Sequence, residues 1–257
     1  MNEDLKIRFA AIIPARYAST RFPGKPLVMI GSKPMIRRVY EKASETTEMV
    51  WVATDDQRIY DRVKEFGGRV VMTSAEHQSG TDRCAEAAEI ITHETGRNID
   101  VILNIQGDEP FIRPEQIRLL MSCFTDDTVQ IATLVRKVGQ QEDITNPNQV
   151  KAVLDRKGNA IYFSRSPVPY LRGSDISEWP RKHLYYKHLG IYAYTYDALN
   201  TITTLGRSPL EIAESLEQNR WLENGFKIRT AITDHESLSI DTPDDLKLAL
   251  EQHLDLF

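Results

Sequence analysis

The sequence predicts an α/β protein with a mixed, mostly parallel sheet flanked by helices and an inserted antiparallel β region. Through the first half, apolar β-type runs alternate with amphipathic helical stretches, which is the pattern of βαβ units. Residues 99–106, IDVILNIQ, are almost continuously apolar, as a central parallel strand is expected to be. Residues 150–166 instead predict a β-hairpin that turns around Lys157, Gly158 and Asn159.

The first half of the chain predicts strands and helices in alternation. Pro34 is expected to open the first helix, and Gly67 and Gly68 to end the second. A third helix is expected to follow a turn within residues 77–87. The predicted strands cover residues 9–15, 49–55, 69–73 and 99–106, and the first two predicted helices cover residues 33–45 and 56–68.

The second half changes character after the hairpin. Residues 208–225 predict one long helix, because a proline stands near their start and a glycine at their end. The most loop-like stretch runs from Leu171 to Pro180. Strands are expected at residues 185–195 and 226–233, and a final helix at residues 242–254.

No repeat, low-complexity tract or linker divides the chain, so a single domain over residues 1–257 is expected. Its nucleotide-binding part is expected to comprise about residues 1–148 and 226–257, with an insert over about residues 149–225. Such an insert can cover an active site or form a subunit contact. The predicted organisation is therefore one domain whose sheet is interrupted by the insert.

Composition narrows the classes of partner. The net charge of −5 argues against a nucleic-acid coat or an anionic membrane surface. Two cysteines, Cys84 and Cys123, are too few for a disulfide framework, so we expect inert thiols and no disulfide-linked partner. The N-terminus does not read as a secretory signal, and no window approaches the roughly 20 apolar residues of a membrane helix. We therefore expect a cytoplasmic protein without a membrane partner.

One loop near the N-terminus is positively charged, although the protein as a whole is negatively charged. The segment ARYASTRFPGKP, residues 15–26, contains Arg16, Arg21 and Lys25 and no acid. It follows a predicted strand, and loops at the carboxyl edge of a parallel sheet are where α/β proteins bind ligands. Lysine and arginine pair with phosphate oxygens, so the loop predicts a triphosphate site; the alternative is a set of solvated surface charges. It is neither a Walker A loop nor a dinucleotide-binding G-x-G-x-x-G loop.

Two aspartates are candidate metal ligands. Asp108 follows the strand at residues 99–106 and should reach the same sheet edge, where carboxylate oxygen suits magnesium together with substrate phosphates; alternatively it only starts a turn. Asp241 precedes Thr242, Pro243 and Asp245, which resemble an N-cap, a first-turn proline and an N3 acid. If Thr242 caps the helix, Asp241 is available to the metal. The rival is that Asp241 is itself the cap.

Two further segments suggest ligand contacts. HQSGTDR, residues 77–83, offers Gln78, Ser79, Gly80, Thr81 and Arg83 at a helix start, for a planar base or a ribose; taken alone it reads as an ordinary helix cap. In the insert, Arg165, Lys187, His188 and Tyr192 suit an acidic, polyhydroxylated substrate, with a satisfied core histidine as the plainer interpretation of His188.

Taken together, these segments resemble the 3-deoxy-manno-octulosonate cytidylyltransferase family, the CMP-Kdo synthetases of Gram-negative bacteria. The resemblance implies a Rossmann-like nucleotide-diphospho-sugar transferase fold and a homodimer built largely through the insert, which would also bind the sugar. It implies magnesium-dependent transfer of CMP from CTP to Kdo, with release of pyrophosphate, for lipopolysaccharide biosynthesis. The matching segments, in order, are IIPARYASTRFPGKPL, VATDD, HQSGTDR, NIQGDEPFI, YFSRSPVPY, HLGIYAY, SLEQNRWL and IDTPDDL.

The resemblance also implies roles for individual residues. The triphosphate would contact Arg16, Ser19, Arg21 and Lys25, and the cytosine would contact Gln78 and its neighbours up to Arg83. Magnesium would lie on Asp108 and Asp241, which with Arg16 and Lys25 form the implied catalytic set. The Kdo pocket would be lined by Gln106, Arg165, His188, Tyr192, Glu214 and Gln218.

Two departures from the family pattern affect sugar recognition most. Tyr170 stands where a tryptophan is expected, and no glycine directly precedes the Asp241 segment. The expected reaction is in-line attack of the anomeric hydroxyl of Kdo on the α-phosphorus of CTP, with no evident side-chain general base. CMP-sialic acid synthesis is the rival activity, and a non-catalytic nucleotide-binding protein is the rival class.

Overall fold

The computed structural model describes residues 7–19, 21–236 and 238–252. By its internal contacts the chain falls into two compact units. The first unit takes in the described residues of Met1–Arg118, Ala193–Thr203 and Ser237–Phe257, and the second takes in Leu119–Tyr192 and Thr204–Glu236. The sequence-based division into a nucleotide-binding part and an insert stays a prediction.

Both units combine strands with helices, so the predicted mixed α/β class is confirmed. The strands are β1 (Phe9–Ala15), β2 (Met29–Ile30), β3 (Lys33–Pro34), β4 (Met49–Thr54), β5 (Val70–Met72), β6 (Val101–Asn104), β7 (Ile131–Lys137), β8 (Lys151–Leu154), β9 (Asn159–Ser164), β10 (Tyr186–Thr195) and β11 (Ile228–Ile232). The helices are α1 (Met35–Ser44), α2 (Gln57–Glu65), α3 (Gly80–Thr95), α4 (Pro114–Ser122), α5 (Trp179–Lys182), α6 (Tyr196–Thr203), α7 (Pro209–Glu214), α8 (Glu217–Glu223) and α9 (Pro243–Gln252).

The first unit contains a parallel sheet in the order β5-β4-β1-β6. Its central strand β1 is fully buried from Ala10 to Ile13, as is typical of a parallel strand that helices cover. Helices α1 and α3 both pack against β1 and β4. β1 and β6 are parallel neighbours, so the loops that follow them lie at the same sheet edge.

In the second unit the strand order is β10-β7-β11-β9-β8. β11 runs parallel to β7 and antiparallel to β9, and β9 pairs antiparallel with β8. The hairpin predicted around residues 157–159 is confirmed: Gly158 has φ 77°, a left-handed conformation that suits glycine at this turn. The residues of β10 are divided between the two units: those up to Tyr192 belong to the second unit, and those from Ala193 belong to the first.

The single helix predicted over residues 208–225 is wrong. The structure has two helices there, α7 and α8, separated at Ser215, whose φ of 52° is left-handed. The Glu214 carboxylate accepts a hydrogen bond from Ser164 Oγ at 2.6 Å, and the Leu216 N–H bonds back to the Glu211 carbonyl at 3.2 Å. These contacts favour a turn where the flanking proline and glycine predicted a continuous helix.

Several elements differ from the sequence-based prediction. No structure was predicted for the segments that form β2, β7, α4 and α6, and the predicted start of the first helix, Lys33–Pro34, is strand β3. In the predicted loop Leu171–Pro180, a 3₁₀ turn at Ile176–Glu178 leads into α5. Trp179 at the start of α5 is buried, so this stretch is anchored. Within the described residues, no helix is long and apolar enough to cross a membrane.

Candidate active site

The first unit contains a cleft of about 270 Å³ at the carboxyl edge of its sheet. The loops after β1 and β6 and the start of α3 form its walls. Almost every nucleotide and metal candidate from the sequence lies on it, as does Gln106. The lining residues are Pro14, Ala15, Arg16, Ser19, Arg21, Lys25, Pro26, His77, Gln78, Ser79, Gly80, Arg83, Gln106, Gly107, Asp108 and Asp241.

The basic loop after β1 folds around Tyr17. The Tyr17 carbonyl oxygen accepts hydrogen bonds from the Ser19 N–H at 2.9 Å and the Gly24 N–H at 3.0 Å. Gly24 has φ 72°, and a Cβ there would lie 3.0 Å from the Tyr17 ring, so this position requires glycine. The Arg58 guanidinium lies 3.3 Å from the centre of the same ring. Tyr17 thereby fixes the path of the loop toward the cleft.

The three cations of this loop have different surroundings. Lys25 Nζ contacts Asp108 Oδ2 at 2.6 Å and Asp241 Oδ1 at 3.0 Å. Arg21 Nη2 lies 3.1 Å from the same oxygen of Asp241. Arg16 is exposed and makes no hydrogen bond or ion pair with the residues that the structure describes. The structure therefore brings both aspartates to one ammonium group and leaves Arg16 available to a ligand.

The question of which residue caps α9 is answered by the backbone contacts. Thr242 Oγ1 accepts a hydrogen bond from the Asp245 N–H at 3.2 Å, which makes Thr242 the cap. Asp245 Oδ2 in turn accepts from the N–H groups of Asp241 at 3.0 Å and Thr242 at 2.8 Å. Burial raises the pKa of Asp245, but these hydrogen bonds outweigh it and lower the pKa. Asp241 is therefore not the cap, and its carboxylate faces the cations.

An apolar cluster holds the segments of this cleft together. We call it the anchor cluster: the buried residues Ile30, Met35, Ile240 and Ala249, with Phe22, Phe111, Leu238, Leu246 and Leu250 packed against them. Its members flank the basic loop, Asp108 and Asp241 in sequence. In addition, the Ile240 N–H bonds to the Asp108 carbonyl at 2.9 Å. The cluster explains how residues distant in sequence are held at one place.

The start of α3 forms the other end of the cleft. Ser79 caps the helix by accepting from the Asp82 N–H at 3.1 Å, and Gln78 donates to the Glu76 carbonyl at 3.0 Å. Arg83 is buried and donates to Asp55 Oδ2 at 2.9 Å and Thr73 Oγ1 at 2.6 Å. Thr81 is buried on α3 and is not among the described residues that line the cleft. Its predicted contact with the nucleotide stays a prediction.

Five of the lining residues were not predicted from the sequence, and two of them, His77 and Gly107, make contacts that shape the cleft. His77 is hydrogen-bonded through Nε2 to Glu86 Oε2, which also accepts from the Ser74 N–H at 2.8 Å. The position of His77 next to Gln78 was the only sequence feature that could have indicated its place in the cleft. At Gly107 a Cβ would lie 2.9 Å from the Pro14 carbonyl, so only glycine allows the loop after β6 to approach the end of β1 this closely.

The sugar-site candidates other than Gln106 lie in the second unit. Arg165 donates from Nε to the Glu214 carbonyl at 2.7 Å and from Nη1 to the Pro147 carbonyl at 3.0 Å. The Glu214 carboxylate accepts from Ser164 Oγ, from the Arg165 N–H and from Tyr162 Oη. Burial raises the pKa of Glu214, but these hydrogen bonds outweigh it and lower the pKa. Arg165 and Glu214 thus lie together, both engaged with the chain around the α7–α8 turn.

His188 and Tyr192 form a second group in the same unit. Their ring centres are 5.2 Å apart, and His188 Nε2 lies 3.1 Å from Thr133 Oγ1. Burial lowers the pKa of His188 to about 3, so the ring is neutral at physiological pH, and burial raises the pKa of Tyr192. Gln218 is buried on α8, which contributes Trp221 against the Tyr192 ring at 5.1 Å. These are neutral hydrogen-bonding groups in an apolar setting.

Comparison with solved structures supports the same fold. A structure of CMP:2-keto-3-deoxy-manno-octonic acid synthetase complexed with CTP is 40% identical, with a TM-score of 0.87 over 97% of this chain and 100% of the other. A glucose-1-phosphate thymidylyltransferase structure from Bacillus anthracis, described as putative, is 18% identical with a TM-score of 0.65, which is a likeness of fold alone. The predicted nucleotidyltransferase fold is thereby confirmed.

Comparison of sequences identifies the family. The cytidylyltransferase family model matches residues 10–228. A 3-deoxy-manno-octulosonate cytidylyltransferase from Parabacteroides distasonis is 55% identical over 95% of this chain and 97% of its own length. One from Thermodesulfovibrio yellowstonii is 47% identical over 93% of this chain and 95% of its own length. With the cleft arranged as described, this chain belongs to the cytidylyltransferase family, in the group of the 3-deoxy-manno-octulosonate cytidylyltransferases.

Proposed function

We propose that this protein transfers CMP from CTP to the anomeric hydroxyl of Kdo, giving CMP-Kdo and pyrophosphate for lipopolysaccharide biosynthesis. The observation that carries the proposal is the meeting of Lys25, Asp108 and Asp241 in a cleft that also presents Arg16 and Arg21. Cations suit the triphosphate, and paired carboxylates suit a divalent ion that accompanies it. Family membership supports CTP and Kdo as the two substrates.

Magnesium is the cofactor that we propose, with Asp108 and Asp241 to hold it. Their oxygens fit a small cation, because both already contact one ammonium nitrogen, at 2.6 and 3.0 Å. No cluster of three or more His, Cys, Asp or Glu side chains suited to a metal occurs within residues 7–19, 21–236 and 238–252. Two carboxylates completed by substrate phosphates is a usual magnesium arrangement. When bound, the ion would neutralise phosphate charge and lower the pKa of a coordinated hydroxyl.

The side chains of the cleft have distinct parts in the proposed transfer. The hydroxyl oxygen of Kdo forms a bond to the α-phosphorus while the bond from that phosphorus to the bridging β-phosphate oxygen breaks. Pyrophosphate leaves, and the hydroxyl proton is released to water. Arg16, Arg21 and Lys25 hold the phosphates and stabilise the charge of the departing pyrophosphate. The start of α3, with Gln78 and Ser79, offers hydrogen bonds to the base and ribose. We assign no side-chain general base.

The sugar pocket that we propose uses Gln106, Arg165, His188, Tyr192, Glu214 and Gln218. The neutral state of His188 suits hydrogen bonds to hydroxyl groups, since the ring then has both a donor and an acceptor nitrogen. Arg165 supplies positive charge for the carboxylate of a sugar acid. Because Arg165 is already engaged with backbone carbonyls, we expect it to contribute charge more than new hydrogen bonds.

We also propose a cytoplasmic homodimer. Exposed apolar side chains of the second unit, Ile161, Tyr170 and Ile212, support an interface there, since such groups favour burial against a partner. A reaction that consumes CTP favours the cytoplasm. Light scattering during size-exclusion chromatography tests the dimer: the expected mass is twice 29.4 kDa, and a mass of 29.4 kDa at micromolar concentration contradicts it.

A substrate screen tests the proposed reaction. Each of the four ribonucleoside triphosphates is offered with Kdo or with sialic acid in the presence of magnesium, and pyrophosphate release is followed. Release with CTP and Kdo only is expected. Release with CTP and sialic acid instead would favour CMP-sialic acid synthesis. CTP binding without pyrophosphate release from any pair would favour a non-catalytic nucleotide-binding protein.

A further inference from the structure

We infer that Lys25 competes with the divalent ion for Asp108 and Asp241, so that tight metal binding requires the nucleotide that draws Lys25 away. This inference rests on the proposed function, because it assumes that these carboxylates hold the metal. It concerns a further role of Lys25, which neutralises the carboxylates when it does not contact phosphate.

The cations and carboxylates that are in direct contact here balance in number. Two cations, Lys25 and Arg21, face two carboxylates, and both cations contact Oδ1 of Asp241. Lys25 also contacts Asp108 at 2.6 Å. The oxygens that suit a metal ion are therefore already paired with the chain's own positive charge.

A divalent ion on these oxygens would displace the ammonium group. The Lys25 side chain is only 13% exposed, so water cannot fully solvate the displaced charge. Leaving a mostly buried cation without a counter-charge is costly. The metal alone should therefore bind weakly to this pair of carboxylates.

A triphosphate removes that cost. Its oxygens can accept the Lys25 ammonium and the Arg21 guanidinium, while the ion takes the released carboxylates. Every charge then keeps a partner of opposite sign. Lysine suits the exchange because its ammonium is a point charge on a flexible four-carbon stem, which can change partners by side-chain rotation. Metal and nucleotide should consequently bind as a coupled pair.

The experiment measures metal binding without any nucleotide or turnover. Mn²⁺, which prefers the same hard oxygen ligands as Mg²⁺, is titrated into the protein alone and the free ion is quantified by electron paramagnetic resonance. Lys25→Met removes the competing charge and keeps a side chain of similar length. We expect it to bind Mn²⁺ at least about tenfold more tightly than the unmodified protein.

Three variants serve as controls. Lys25→Arg keeps the charge and should bind Mn²⁺ as weakly as the unmodified protein. Arg16→Met removes a cation of the same loop that contacts neither carboxylate, and should give no gain. Asp108→Asn added to Lys25→Met should abolish the gain. If Lys25→Met does not fold, Arg21→Met replaces it, since that side chain is 64% exposed and lies on Asp241; a smaller gain is then expected.

The inference is overturned if the folded Lys25→Met protein, or Arg21→Met in its place, binds Mn²⁺ no more tightly than the unmodified protein. It is also overturned if Arg16→Met gains as much affinity. Its failure differs from that of the proposed function. Pyrophosphate release from CTP and Kdo without any gain in Mn²⁺ affinity refutes the exchange alone. A gain without pyrophosphate release from any substrate pair supports the exchange and refutes the proposed reaction.

Discussion

Asp108 and Asp241 reach the cleft from distant parts of the chain, and a backbone contact fixes each of them. The Asp108 carbonyl accepts from the Ile240 N–H, and the Asp241 N–H donates to Asp245. Neither contact uses the carboxylates that face Lys25. Replacing either carboxylate by an amide should therefore remove charge without disturbing the local backbone.

Asp108→Asn and Asp241→Asn are each expected to lower kcat for pyrophosphate release at least about a hundredfold, because a carboxylate that would hold the metal is lost. Their thermal melting should stay close to that of the unmodified protein, because Lys25 keeps the other carboxylate as its counter-charge in each variant. Asp244→Asn is the matched control, because Asp244 is an exposed acid in the first turn of α9, close to Asp241 in sequence. This variant should keep near-normal kcat. A kcat within tenfold of normal for either of the first two variants contradicts the metal assignment.

His188 predicts an acid sensitivity of the fold. Burial lowers its pKa to about 3, whereas an unfolded chain has a histidine pKa near 6.5. Above pH of about 6.5 both states are neutral. Below it only the unfolded state gains the proton, so stability falls as the pH drops, by up to about 1.4 kcal/mol per pH unit.

We expect acid to destabilise the His188→Gln protein less, since the glutamine does not titrate and its amide can still reach Thr133. From pH 7.5 to pH 5 its free energy of unfolding should fall by about 2 kcal/mol less than that of the unmodified protein. Urea unfolding at each pH measures this difference. His93→Gln changes an exposed histidine and should show the full acid loss. Equal acid loss in the His188→Gln protein would mean that His188 takes up a proton while folded.

At the scale of elements, α8 supports β9 through one side chain. Asn219 is fully buried; its amide donates to the Phe163 carbonyl at 2.9 Å and its oxygen accepts from the Phe163 N–H at 3.2 Å. It thereby pairs both backbone groups of one strand residue. Without it these groups are buried and lack those partners.

We expect Asn219→Ala to lower the free energy of unfolding by about 2–4 kcal/mol, since two buried backbone groups lose their hydrogen bonds. Urea unfolding followed by circular dichroism measures it. Asn224→Ala removes an amide that also bonds to a backbone carbonyl, but at an exposed position, and should cost less than about 1 kcal/mol. Similar losses for the two variants would show that the Phe163 contacts add little.

Apolar spacing and turn residues were sufficient to predict many of the strands and helices. The alternating strands and helices up to residue 106 and the hairpin around Gly158 follow from apolar spacing and turn residues, and the structure confirms them. The break at Ser215 did not follow, because contacts from β9, distant in sequence, hold Glu214 and Arg165 around the turn. The proline and the glycine at the two ends of this segment could not separate α7 from α8.

At the scale of the whole molecule, the anchor cluster is what allows separate stretches of sequence to form one cleft. Ile240 is fully buried within it and directly precedes Asp241. Its packing and its N–H contact with Asp108 act on the same segment. Stability and activity should therefore depend together on this side chain.

Ile240→Ala is expected to cost about 2–4 kcal/mol of stability, because it leaves a cavity, and to lower kcat as the Asp241 segment loosens. Thermal melting and pyrophosphate release measure the two effects. Leu248→Ala, at a position of α9 that is 48% exposed, should change stability by less than about 0.5 kcal/mol and leave kcat unchanged. A stable, fully active Ile240→Ala protein would show that the cluster does not position Asp241.

The sequence predicts which residues line the cleft better than it predicts which of them contact each other. Acids and bases at predicted strand exits indicated which residues should meet, and Lys25, Asp108 and Asp241 do meet. That Lys25 lies directly on both carboxylates depends on side-chain packing between segments 216 positions apart, which no local pattern encodes.

The order of Lys25, Asp108 and Asp241 along the chain has a consequence during biosynthesis. The ribosome adds Asp241 last, 216 positions after Lys25, so a growing polypeptide contains the basic loop and the first carboxylate long before the second. In that interval Lys25 can pair with Asp108 alone. Translation products that stop before Asp241, or proteins clipped there by a protease, should lack the second proposed metal ligand even if their earlier strands have folded.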